Sequence, residues 1–87
     1  MSIGQIVYSS AGRDSGQPYV VLSIENDYVY LADGASRRIE KAKKKKLKHV
    51  LETEFINTSI KDKLENDIRV TNAELRKVIS NYLLEDI

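Results

Sequence analysis

Short apolar runs with a period of two dominate the first half of the chain. Gln5–Ser10 (QIVYSS) is a β-prone run. Pro18–Glu25 (PYVVLSIE) alternates, with Val20, Leu22 and Ile24 on one face and Tyr19, Val21 and Ser23 on the other. Tyr28–Ala32 (YVYLA) repeats the period, setting Val29 and Leu31 against Tyr28 and Tyr30. Asn26-Asp27 predicts a tight turn between these two strands. Asp33-Gly34 predicts a second hairpin, because both residue types tolerate positive φ. That hairpin would lead into a strand at Ser36–Glu40 (SRRIE), with Ile39 as its apolar anchor and Arg38 facing outward. Lys46–Glu52 (KLKHVLE) would close the sheet. Closely spaced short strands of this kind predict a small barrel.

The period changes after about residue 58. Leu75, Val78, Ile79, Tyr82 and Leu83 fall on one helical stripe. Thr71 and Glu74 have the spacing of a capping box, which predicts a helix start at Thr71 or Asn72. Ile60, Leu64 and Ile68, four apart, predict a shorter helix before it. The organisation expected is a barrel over residues 1–52, a linker over 53–58 and a helical tail over 59–87. A barrel of about 50 residues is marginal alone. The acidic tail is open to three roles: its stripe docks on the barrel, its stripe binds a partner protein or a second copy, or its acidic face competes with RNA for the lysines. The first two are favoured, and the pattern alone does not separate them.

Composition adds a surface to this outline. The chain has 87 residues, 41% hydrophobic and 31% charged, which fits one small domain with an appendage. It has no cysteine, which excludes disulfides and thiolate metal sites and fits a cytoplasmic location. No apolar run approaches the ~18 residues of a membrane span, and the N-terminus has no signal-peptide pattern. The net charge of +1 hides an asymmetry. Residues 1–50 carry nine Lys/Arg against five Asp/Glu, and residues 51–87 carry five against eight. Arg13, Arg37, Arg38, Lys41, Lys43, Lys44, Lys45, Lys46 and Lys48 would form a phosphate-binding surface if they share one side of the barrel. Tyr28 and Tyr30 are candidates for stacking on unpaired bases.

Catalytic chemistry finds little to work with. The stretch Gly12–Pro18 (GRDSGQP) contains an Asp-Ser-Gly run, but a nucleophilic serine needs a base and an orienter for it. His49 is the only histidine. There is no P-loop, no dinucleotide fingerprint and no ligand-spaced cluster, so no enzyme activity, cofactor or metal is expected. Gly12 and Gly16 instead bracket a turn between two strands, with Arg13 at its tip.

Read together, GQIVYSSAGRDSGQPYVVLSI and the following YVYLADGASRRIEKAKKKKLKHV resemble a KOW domain. The chain is similar here to bacterial KOW-domain RNA-binding proteins and to KOW-type large-subunit ribosomal proteins of archaea and eukaryotes. The resemblance runs from Ser2 to about Leu51. It implies an SH3-like barrel and RNA or ribosome binding, with ribosomal RNA the leading partner. By position, Gly12 and Gly16 match the loop glycines, Arg13 and Asp14 its polar tip, Asp33-Gly34 the hairpin, and Lys43 to Lys48 the basic segment. Ala42 departs from the pattern, which often has proline before the lysines. The fold expected is thus mainly β, a small SH3-like barrel of KOW type with a short α-helical C-terminal tail. The function expected is non-enzymatic RNA binding in translation, with a protein-interaction adaptor as the alternative.

Overall fold

The alternation read from the sequence becomes five antiparallel strands in the computed structural model, which describes residues 1–85. They are β1 (Gln5–Ser9), β2 (Pro18–Glu25), β3 (Tyr28–Ala32), β4 (Lys43–Lys46) and β5 (Val50–Ile56), arranged β4-β3-β2-β1-β5. Single 3-10 turns at Ile39–Lys41 and Leu47–His49 flank β4. Two helices follow, α1 (Thr58–Glu65) and α2 (Asn72–Glu85). The protein is mainly β, a barrel-like sheet that does not close, with a helical tail. The β2–β3 hairpin turns at Asn26-Asp27 as predicted, with Asn26 in the left-handed region at φ 54°.

Each face of the sheet carries a buried apolar cluster. Val7, Tyr19, Val21, Val29, Leu31 and Val50 form one cluster, with Ile3 and Leu47 against it. No helix contributes to it, so the sheet must curl for its own strands to exclude water from this face. The opposite face supplies Ile6, Val20 and Ala32, and these meet Ile60, Val70, Leu75 and Ile79 from the helical segment. The tail therefore docks on its own sheet. Leu75 is fully buried and Ile79 nearly so, while Val78 and Tyr82 pack at the margin. Tyr82 completes an aromatic group with Phe55 at 5.4 Å and Tyr8 at 6.5 Å. The capping box forms: the Thr71 amide donates to Glu74 Oε2 at 2.9 Å and the Glu74 amide to Thr71 Oγ1 at 3.2 Å.

The structure corrects several expectations. Asp33-Gly34 is not a hairpin, and Ser36–Glu40 is not a strand. Asp33 Oδ1 accepts the amides of Ala35 and Arg37 at 2.9 and 2.8 Å, and the amides of Asp33 and Gly34 both donate to the Arg37 carbonyl. These local bonds close a loop on itself and outcompete a ladder. Ile39 still anchors the segment against the helix-side core, from a 3-10 turn. The lysine run, expected as a basic segment of undefined form, is strand β4, paired Val29 to Lys45 and Tyr30 to Lys44. Residues 53–56 complete β5 instead of forming a linker, and Asn57 caps α1 by accepting the Ile60 amide at 2.9 Å. Leu83 is exposed and takes no part in the helix-side cluster that Val78 and Tyr82 join. Ile68, past the end of α1, is exposed too.

Candidate nucleic-acid interface

Four consecutive lysines look equivalent in the sequence, and β4 makes them unequal. A strand turns successive side chains to opposite faces. Lys43 and Lys45 point to the curled interior and Lys44 and Lys46 to the outside. Lys45 is 9% exposed, and burying an ammonium requires a paired counter-charge. Asp14 supplies it from the GRDSG loop. Lys45 Nζ lies 2.9 Å from Asp14 Oδ1 and donates to the Ala11 carbonyl at 2.7 Å. Lys43 Nζ lies 2.8 Å from Asp14 Oδ2, and Ser9 Oγ donates to Oδ1 at 2.8 Å. Burial pushes the Asp14 carboxyl upward, but hydrogen bonds from Lys43, Lys45 and Ser9 outweigh it and hold the group far below the usual carboxylate range. Burial, followed by the charge of Asp14, raises the neighbouring Tyr19 hydroxyl. Two lysines assigned to phosphate thus hold the loop to the sheet. Lys45 is removed from the candidate contacts, while Lys43 keeps partial exposure.

That anchor displays Arg13. Gly12 and Gly16, at φ 85° and 88°, let the loop double back, and the Gly16 amide returns to the Ser9 carbonyl at 2.8 Å. Ser15 sits exposed in this turn, its amide bonded to the Gly12 carbonyl. Arg13, Lys43 and Arg37 converge on an open cleft of about 450 Å³ lined also by Asp14, Gln17, Tyr19 and Ser36. Arg37 comes from the Asp33-closed loop. Hydrogen bonds from the Ser36 hydroxyl and the Arg37 and Ala35 amides lower the Asp33 carboxyl despite its burial, so its charge keeps holding that loop.

The remaining predicted cations spread along the same edge. Arg38 is exposed, with Glu40 3.7 Å away. Arg37, Arg38 and Lys41 line a second cleft over residues 35–41. On the outward side of β4, Lys44 Nζ lies 4.3 Å above the Tyr28 ring. Lys46, Lys48 and Tyr28 line a third cleft. Tyr28 and Tyr30 are both half-buried beside the outward lysines. Among the described residues, Arg13, Lys41, Lys44, Lys46 and Lys48 make no ion pair. The edge strand β4 and its two flanking loops therefore present cations on both sides of the sheet rim.

Sequence reading missed two arginines. Arg69 and Arg76 line a cleft with Arg38. They belong to the acidic half of the chain, and only docking of the tail brings them to the basic half. Among the described residues, no group of three or more His, Cys, Asp or Glu side chains is placed to hold a metal ion. No helix among them is long and apolar enough to cross a membrane. No model of a known protein family matches this chain, and no curated protein matches it.

Proposed function

We propose that the protein is a non-enzymatic RNA-binding protein, directed at ribosomal RNA in the cytoplasm, with a KOW-type barrel as its scaffold. The observation that carries the reading is the division of labour on β4. Lys43 and Lys45 fix the Arg13 loop, while Lys44 and Lys46 stand free on the rim with Arg37, Lys41 and Lys48 nearby. Preorganised cations of this kind neutralise phosphates with release of counterions and little ordering cost. Arg13 brings a planar fork suited to a phosphate or a base face. The resemblance to KOW proteins over Ser2 to Leu51 supports the same partner. The adaptor alternative has less support, because Leu75 and Ile79 are committed to the chain's own core.

The test is binding to ribosomal RNA fragments across a salt series, for the wild type and the variant K44E/K46E. With about five phosphate contacts, log K falls against log salt with a slope of about −3.5 to −4.5. The variant keeps its fold and loses about 2 from that slope. Binding indifferent to salt and to the variant refutes the reading.

A further inference from the structure

The charge asymmetry between the two halves of the sequence sets an acidic tail against a basic barrel. The fold sorts those charges by side. On α2, Glu74 turns toward α1 and pairs with Lys63. Lys77 and Glu85 line the cleft on that same α1 side. Arg76 turns the other way and donates from Nη1 to the Gly34 carbonyl at 2.6 Å, at the root of the basic loop. Arg69, in the turn between the helices, is exposed and makes no hydrogen bond or ion pair among the described residues. Arg69, Arg76 and Arg38 share an open cleft of about 460 Å³.

This cleft adjoins the predicted interface. It shares Arg38 and Glu40 with the cleft over residues 35–41, and that one shares Arg37 with the Arg13–Lys43 cleft. The three clefts thus lie side by side from the GRDSG loop, past the 33–41 loop, to the start of α2. Glu40 is the one carboxylate lining the last cleft. It is bonded by Asn72 Nδ2 at 2.9 and 3.1 Å and lies 3.7 Å from Arg38. Three guanidinium groups against one carboxylate leave the cleft cationic.

We infer that the helical tail is part of the RNA site, with Arg69 and Arg76 joining Arg38 to hold phosphodiesters of the strand that Arg13 and Arg37 contact. The inference rests on the RNA-binding reading and extends it to residues beyond the Ser2–Leu51 segment. Arginine suits the role because its fork matches phosphate oxygens two at a time. A run of clefts with repeating cations fits a polymer of regularly spaced phosphates.

The experiment compares R69E, R76Q, E40Q and K77E with the wild type, by anisotropy of a labelled ribosomal RNA fragment across salt, after thermal melting confirms each fold. R69E is expected to weaken binding about tenfold at low salt and to make the slope shallower by about 1. E40Q is expected to tighten binding, since a repulsive charge leaves the track. K77E, on the far side of α2, is expected to change affinity less than twofold. If R76Q melts early through loss of its bond to Gly34, R69E against K77E decides. Equal effects of R69E and K77E overturn the inference, while loss of binding in K44E/K46E keeps the RNA reading intact. A wild type that shows no salt-dependent RNA binding overturns both.

Discussion

Replacing Lys45 by methionine separates a structural lysine from a displayed one. Methionine keeps a long apolar stem and removes the charge and its donors. In the wild type, Lys45 is 9% exposed, its Nζ lies 2.9 Å from Asp14 Oδ1, and it also donates to the Ala11 carbonyl. Removing one partner of a buried pair costs about 3–5 kcal/mol, because the other charge is left uncompensated. Lys43 and Ser9 remain on Asp14, which places the expected loss near the lower bound, about 3 kcal/mol. For a domain of this size that is a fall in Tm of roughly 12–24 °C. The control is K44M, one residue away. Lys44 is exposed and loses only its contact with the Tyr28 ring, about 0.5–1 kcal/mol. Urea unfolding followed by circular dichroism reads both values. Equal losses would mean that strand parity does not govern the lysine run. The assigned β4 register and the Asp14 anchor would then both be wrong. RNA binding should separate the two lysines in the opposite direction, with K44M weakening it more per kcal/mol of stability lost.

Acid should loosen the same anchor. The folded Asp14 carboxyl titrates below its unfolded value, so its contribution is fully present above the unfolded pKa of 3.8 and is lost as pH falls below it toward the folded value. Urea midpoints should therefore drop more steeply below pH 4 for the wild type than for D14N, and parallel curves would contradict the assignment. Leu75, fully buried between sheet and tail, should cost about 2–5 kcal/mol as alanine. Exposed Leu84 should change stability by no more than about 0.5 kcal/mol, and similar losses at both would refute docking of the tail. Gly34→Ala should be worse than Gly16→Ala by thermal melting. Both sit at positive φ, but a Cβ at Gly34 would lie 2.2 Å from the Asn72 carbonyl oxygen, whereas Gly16 faces open space.

Alternation and turn chemistry made β1, β2, β3 and the capped start of α2 legible in the sequence. Each depends on neighbours a few residues away: a period of two, a turn residue that accepts positive φ, or a threonine three residues before a glutamate. The same local logic misread residues 33–41. An Asp-Gly pair signals a hairpin only if the following residues find a ladder partner, and here the Asp33 side chain took the amides first. Four lysines carry little strand propensity, so β4 was not legible either. It exists because β3 offers an edge and because Asp14, far away along the chain, neutralises the two ammonium groups, of Lys43 and Lys45, that point inward.

The sequence by itself determined which segments seek burial, where the first three strands and the last helix begin, and how many cations the chain carries. It left open which cations are free to bind. Tertiary structure decided that, because a charge's availability depends on what lies opposite it. Folding places Lys43 and Lys45 against Asp14 and leaves Lys44 and Lys46 in water. It also carries Arg69 and Arg76 from an acidic stretch to the basic rim. The first placement follows from the pairing of β4 with β3, the second from the hydrophobic burial that docks α2 on the sheet. They join residues far apart along the chain, beyond the reach of any local pattern.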